Sequence, residues 1–232
     1  MEHRVARLTL AVAVLAGAAA ACGGGGGGGG GSASAVQTAP AGDQAVADRA
    51  TLVITDFPQE WKSTPIPPET AAVASANERA FAQCMGRPPP DQDRTAISYS
   101  ADFNSTETRR VSSSASVVRT VEVAQADFAA QRGNQALTCH KQEIESEFRR
   151  QLPNSAPQIT VERLDMPVFG DESVAFRLDI TSSADVGLVR TLIDLVFMRK
   201  ARTEVAVNFI ERNAPFPQDL QRSLLLRAVS RA

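Results

Sequence analysis

Hydrophobic and polar residues alternate along much of the C-terminal half of the chain with the two-residue period of a β-strand. In the segment 172–181, apolar side chains occupy every second position and predict a strand with one buried face: Val174, Phe176, Leu178 and Ile180. The segments 188–198 and 203–210 repeat this pattern. The connections between the three segments are too short for crossovers, so we expect an antiparallel meander.

Other segments of the chain are predicted from the same periodicities. Apolar residues at helical spacing predict four helices, over 70–84, 122–132, 135–152 and 217–231. Further strands are predicted over 95–103, 111–120 and 158–166. The second of these alternates small apolar residues with serines, and this weak pattern favours a position near the edge of the sheet. The prediction is an α+β fold with one antiparallel twisted sheet of about five to seven strands and about four packed helices.

The N-terminus has the pattern of an export signal. Residues 1–21 carry early basic residues, a short apolar run and then small residues, and the apolar run is too short to span a membrane. Ala19-Ala20-Ala21-Cys22 resembles the lipobox of bacterial lipoproteins, in which the cysteine is acylated and becomes the first residue of the mature chain. Lipid attachment at Cys22 is the prediction, and ordinary cleavage near Ala21 is the alternative. Two acyl chains would anchor the protein stably.

A glycine tract, Gly23–Gly31, follows the predicted lipid site. Glycine loses much conformational entropy on folding and buries no side chain, so this tract cannot form a folded element. The predicted organisation is therefore a signal peptide over 1–21, a lipidated cysteine with a flexible Gly/Ala/Ser-rich tether over 22–50, and one α+β domain over 51–232. The protein is expected at the outer face of the cell membrane.

The charge balance excludes some classes of partner. The chain has 24 basic and 26 acidic residues, so it lacks the basic excess that nucleic acid binding requires. Arginine greatly outnumbers lysine and alanine is abundant, which is typical of GC-rich genomes such as those of actinobacteria. The basic stretch Arg199-Lys200-Ala201-Arg202 is predicted to be a solvated turn, and contact with anionic lipid head groups is the alternative.

Two cysteines remain after the predicted lipid site. An exported protein meets oxidising conditions, so a disulfide between Cys84 and Cys139 is the simplest interpretation. A metal site or a catalytic thiol has little support, because His140 is the sole histidine after the signal and no CxxC pair occurs. No catalytic centre, metal site or cofactor is expected. A hydrolase is the least favoured alternative.

Four motifs of the domain resemble those of a family of actinobacterial exported proteins, the sensor-domain lipoproteins. They are FPQEW at 57–61, AFAQCMG at 80–86, GDESVAFR at 170–177 and LVFMRK at 195–200. A looser similarity extends to the extracellular domain of a mycobacterial receptor kinase and to lipoproteins with the PsbP-like fold. The resemblance implies a curved antiparallel sheet between helices, together with ligand sensing or handling of envelope lipids. It supplies no catalytic residue.

Two functions from different classes follow from these observations. The first is a membrane-tethered, non-catalytic binding or sensor module for a small amphiphile or an envelope glycolipid. Its site would lie between the sheet and the helices, with Trp61, Tyr99 and Phe103 as candidate ligand contacts. The alternative is a protein-interaction module that docks an envelope enzyme or receptor, which would require an exposed apolar patch.

Overall fold

The computed structural model describes residues 41–106, 108–151, 156–184 and 187–232. Five α-helices lie in these ranges: α1 (Ala41–Ala50), α2 (Pro68–Cys84), α3 (Val121–Gln131), α4 (Asn134–Gln151) and α5 (Gln218–Ser230). The same ranges contain eight strands: β1 (Lys62–Thr64), β2 (Arg94–Tyr99), β3 (Asp102–Asn104), β4 (Arg109–Val118), β5 (Gln158–Leu164), β6 (Glu172–Ala184), β7 (Gly187–Lys200) and β8 (Thr203–Arg212).

The strands form a single antiparallel sheet in the order β1-β3-β4-β8-β7-β6-β5, and β2 also pairs with β4. The consecutive strands β6, β7 and β8 are neighbours, as the alternating pattern predicts. The predicted α+β class is confirmed. Two strands of three residues and one additional helix account for the larger number of elements.

Helices cover both faces of this sheet. On the first face, α1 and α5 pack over a core that contains Phe103, Val207 and Phe209. On the second face, α4 buries Ile144 and Phe148 against strands β5 to β8, and α2 packs on α4. The alternation along each central strand therefore separates two buried layers rather than a buried layer from a solvated one.

The predicted tether extended to residue 50, but the structure places Ala41–Ala50 in helix α1. Ala47 and Ala50 are fully buried, and Asp43 forms an ion pair with Arg202 at 2.8 Å. The folded domain therefore includes residues 41–50, which were predicted to belong to the tether, because the alanine-rich segment packs its small side chains against β2 and β4. The signal peptide, Cys22 and the remaining tether lie outside the described residues. Within the described ranges, no helix is long and apolar enough to cross a membrane.

Strand β4 lies one strand in from the edge that β2 forms, so the predicted position near the edge is confirmed, although β4 is paired on both sides. It pairs with β8 on one side and with β2 and β3 on the other. Its serines are buried, and Ser113 accepts a hydrogen bond from the backbone N–H of Leu52 at 2.9 Å. Small hydroxyl side chains fit between two helical layers when hydrogen bonds satisfy them.

The basic turn between β7 and β8 is not simply solvated. Arg199 is buried and its guanidinium donates to Glu172 at 2.7 Å and to Asp171 at 3.1 Å. Gly170 precedes this acidic pair with φ of +71°, and a Cβ there would lie against the carbonyl oxygen of Arg199. Glycine is needed at this position because a side chain would clash with the backbone of β7.

Candidate functional site

The three aromatic residues predicted as ligand contacts do not lie together. Trp61 and Phe103 are 5% and 2% exposed in the core of the first face, where both pack near Phe57. The centroid of the Phe57 ring lies 4.8 Å from that of Trp61 and 4.4 Å from that of Phe103. In this structure the two residues serve packing, and a ligand role for them remains a prediction.

Tyr99 belongs to the second face of the sheet. It pairs with Ser114 of β4, and its hydroxyl is buried without a hydrogen-bond partner among the described residues. Burial raises the pKa of this hydroxyl above its ordinary value, and Glu78 adds to the increase. Of the three aromatic residues, Tyr99 is the one on the face that carries the cleft described next.

A cleft of about 140 Å³ lies on the second face between the sheet and helices α2, α3 and α4. The strands β4, β7 and β8 form its floor, and the exposed Pro88 brings it to the protein surface. Its lining combines apolar and charged side chains, including Phe81, Met85, Phe128, His140, Phe197, Ser114, Ser116, Glu204, Glu78, Arg94, Arg87 and Asp127.

The apolar wall of the cleft is mostly aromatic. Phe81 stacks on His140 with ring centroids 4.5 Å apart, and Phe197 stacks on the same imidazole at 5.7 Å. Phe128 of α3 and Met85 complete this wall. Such a surface provides van der Waals contact for an apolar group and presents aromatic faces that attract cations.

The disulfide between Cys84 and Cys139 is present and lies beside this wall. It joins the last residue of α2 to α4, and His140 is the next residue along the chain. Phe81, three residues before Cys84, and Met85, directly after it, both line the cleft. The covalent bond therefore holds the two helices that form one wall of the site.

The floor of the cleft carries a buried carboxyl group. Glu204 of β8 pairs in register with Ser116 of β4, whose hydroxyl donates to Oε2 of Glu204 at 3.4 Å. The other oxygen, Oε1, is buried and has no hydrogen-bond partner among the described residues. Burial raises the pKa of Glu204 from 4.5 to about 7, although Arg94, Arg87 and Ser116 oppose this change. This carboxyl group therefore changes charge near neutral pH.

The other charged groups around the cleft occur in pairs. Arg94 donates to Glu78 at 2.8 Å, and both side chains are largely buried. Arg87 forms an ion pair with Asp127 of α3. Each arginine thus has an acidic partner, and Glu204 is the additional acid.

His140 is fully buried, and burial lowers the pKa of its imidazole to about 3, so the ring is neutral at physiological pH. Its Nε2 lies 3.3 Å from Oε1 of Gln131. Its Nδ1 has no hydrogen-bond partner among the described residues, and Oε2 of Glu143 lies 3.9 Å away. Burial raises the pKa of Glu143 well above its ordinary value, so this pair is more stable without charge.

Sequence reasoning missed Glu204 as a site residue. The alternation of Val205, Val207 and Phe209 assigned the intervening positions to the side away from the core, where a charged residue is expected. The serines in 112–116 are the feature of the sequence that could have located the site. Small hydroxyl side chains can be buried, so this strand face could have been assigned to a covered layer rather than to solvent. Among the described residues, no three histidine, cysteine, aspartate or glutamate side chains are placed to hold a metal ion.

No protein-family model and no curated protein matches the chain. Two solved structures are similar to it. The first is an uncharacterised protein of Mycobacterium smegmatis, an Rv0999 ortholog, with 14% identity and a TM-score of 0.41, covering 82% of this chain and 97% of its own. The second is the extracellular domain of PknH from Mycobacterium tuberculosis, with 9% identity and a TM-score of 0.33, covering 73% and 97%. Similarity at this level assigns neither family nor function to the chain.

Proposed function

We propose that the protein is an extracytoplasmic, lipid-anchored binding or sensor module that takes up a small amphiphile in the cleft on the second face of the sheet. The observation that carries this proposal is the combination of an aromatic wall and a buried carboxyl group in one cleft. Ligand sites are commonly concave and mostly apolar, with a few polar groups that orient the ligand.

The location outside the cytoplasm is supported by two independent features. The export signal with its lipobox-like cysteine predicts transfer across the membrane and attachment at Cys22. The bond between Cys84 and Cys139 is of a kind that persists in oxidising compartments and is rare in the cytosol.

The volume of the cleft favours a small ligand over a complete glycolipid. A cavity of similar volume in an engineered protein accommodates a benzene molecule. The 140 Å³ found here therefore suits a ligand, or one end of a ligand, with the size of a single ring. An envelope glycolipid with its acyl chains is much larger.

A binding role without catalysis also fits the polar groups of the site. Catalysis by a serine nucleophile requires a base within hydrogen-bond reach of the hydroxyl. The Nε2 of His140 is instead engaged by Gln131, and Ser116 donates to Glu204. Ser114 lines the cleft, and no bond to His140 is found for it among the described contacts.

The alternative, docking of an envelope protein, would use exposed apolar side chains rather than the cleft. In the described residues, the large apolar side chains that are most exposed come from four separate segments: Val53, Ile54, Val168, Leu188 and Leu226. A docking surface would be expected to bring such residues together.

The proposal is tested by native mass spectrometry of the protein isolated from the cells that produce it. A retained small amphiphile is expected with the natural sequence. Ala206→Phe should abolish retention, because Ala206 lines the cleft and the larger ring would fill it. Ala129→Phe, at an exposed position of α3, is the control. A protein that retains no amphiphile, or an Ala206→Phe variant that retains it as well as the control does, would count against this function.

The anchor is tested separately from the cleft. The mass of the N-terminal peptide of the native protein should include acyl chains on Cys22, and Cys22→Ser should release the protein from the membrane. An unmodified thiol with the protein free in the medium would refute the anchored location without bearing on ligand binding.

A further inference from the structure

The unpartnered oxygen of Glu204 indicates which chemical group of a ligand the cleft would contact. Oε1 is buried, belongs to a side chain that lines the cleft, and accepts no hydrogen bond from the described residues. A buried acceptor without a partner is unfavourable, and a bound donor removes that cost. This step rests on the proposed function, since it assumes that the cleft takes up a ligand.

Charge complementarity narrows the choice of donor. The two arginines that line the cleft are each paired with an acid, Arg94 with Glu78 and Arg87 with Asp127. His140 is neutral because burial lowers its pKa to about 3. The positive and negative charges of the lining residues therefore cancel except for that of Glu204. When Glu204 is ionised, the cleft carries one uncompensated negative charge. A ligand with one positive charge would compensate it.

The aromatic wall suits the same ligand. Phe81, Phe128 and Phe197 line the cleft that Glu204 borders. Aromatic faces attract cations when both are removed from water, and they also pack against apolar groups. A carboxylate together with aromatic rings is thus suited to an ammonium group attached to an apolar body.

We propose that the cleft binds a primary amine of about the size of one ring, with its ammonium group donating to Oε1 of Glu204 and its apolar part lying against Phe81, Phe128 and Phe197. Neutral amphiphiles of the same shape would leave the charge of Glu204 uncompensated. Anionic ones would be repelled by it.

The ionisation of Glu204 supplies a pH dependence for this binding. Its pKa of about 7 means that an approaching ammonium group favours the ionised form at neutral pH, whereas at about pH 5 the carboxyl is mostly protonated. A primary amine remains charged throughout this range. The charged and titratable groups that face Glu204 across the cleft are those of α2, α3, α4, β2 and the segment after α2: Glu78, Asp127, His140, Arg94 and Arg87.

The test uses three compounds of nearly equal shape with the purified full chain: benzylamine, benzyl alcohol and benzoate. Affinities are measured by calorimetry, and backbone NMR shifts of Phe197 and Val205 report binding in the cleft. At about pH 8 we expect benzylamine to bind about tenfold more tightly than benzyl alcohol, because a charge-assisted hydrogen bond is stronger than a neutral one. The preference should largely disappear at about pH 5, and benzoate should bind most weakly.

Two matched variants separate the carboxyl group from other effects. Glu204→Gln keeps the size of the side chain, and it should remove the preference for the amine while leaving benzyl alcohol binding in place. Glu162→Gln alters an exposed glutamate on β5 and should leave the preference unchanged.

The outcomes distinguish the amine assignment from the broader function. If benzyl alcohol and benzylamine bind equally, or if Glu204→Gln keeps the preference, the assignment of an amine is overturned and the cleft remains a binding site. If none of the three compounds perturbs the cleft, both the amine assignment and the proposed function are overturned. Because the pH dependence is measured on the natural sequence, the test does not depend on folding of the variants.

Discussion

Replacing Glu204 with glutamine should stabilise the protein at alkaline pH and leave its stability nearly unchanged in acid. Burial raises the pKa of Glu204 from 4.5 to about 7, so the native state binds this proton more tightly than the unfolded chain does. Stability then falls as the pH rises from the unfolded pKa to the folded one. At 1.36 kcal/mol for each unit of pKa, a pKa change of this size lowers the free energy of unfolding by about 3 kcal/mol at high pH.

The glutamine variant does not lose this stability as the pH rises, because its side chain does not ionise. We therefore expect Glu204→Gln to exceed the natural protein by up to about 3 kcal/mol in free energy of unfolding at about pH 8, and by little at about pH 4. Urea unfolding at four pH values between these limits measures the difference. His140 and Glu143 also titrate with altered pKa values, so the difference between variant and natural protein is informative and the absolute curve is not.

The control is Glu162→Gln, which removes an exposed carboxyl group from β5. The free energy of unfolding of this control should differ from that of the natural protein by no more than a few tenths of a kcal/mol at every pH, as is usual for surface substitutions. A difference for Glu204→Gln that does not change with pH, or that decreases as the pH rises, would refute the reasoning. It would mean that this carboxyl group is well hydrated in the folded protein.

Three further predictions follow from the same structure. Replacing Cys84 and Cys139 together with alanine should lower the free energy of unfolding by about 4 kcal/mol, since the bond joins residues 55 apart; denaturant unfolding without reductant measures this loss. His140→Gln should lessen the fall in stability as the pH drops from 6.5 to about 3, because burial lowers the pKa of the native imidazole to about 3 while the unfolded chain takes up the proton near 6.5. The slope of the free energy of unfolding against pH measures this effect, and an unchanged slope would contradict it. Gly170→Ala should lower the free energy of unfolding by about 1–3 kcal/mol or more, because the positive φ and the carbonyl oxygen of Arg199 both oppose a side chain. Thermal unfolding measures this loss, and an unaltered Tm would contradict it.

The strands β6 to β8 could be predicted from the sequence because their pattern is simple. In β6, large apolar residues such as Phe176 and Ile180 alternate with polar ones, and only a few residues separate this strand from β7. Strands with this pattern and short connections have few other ways to pair. The predicted meander is accordingly confirmed, and so is the α+β class.

Helix α1 shows where composition misleads. Segment 41–50 is rich in alanine and polar residues, and such a composition occurs both in linkers and in helices. What distinguishes this segment is tertiary contact: Ala47 is buried against β2 and β4, and Asp43 accepts from Arg202, more than 150 residues later in the chain. Local propensity alone contains no information about that partner, so it could not be deduced from the segment itself that residues 41–50 belong to the domain.

The cleft could not be predicted for a reason that concerns the whole sheet. Periodicity divides the residues of a strand between two faces, and the usual inference assigns the polar face to solvent. Here helices cover both faces, so Ser114 and Glu204 are polar residues in a buried layer. Burial of a carboxyl group between helices and sheet is unfavourable unless partners satisfy it, and one oxygen of Glu204 has none in the described structure. A fold under selection for stability alone would be expected to replace this residue with a neutral one, so its presence beside aromatic side chains supports the proposal that the cleft binds a ligand.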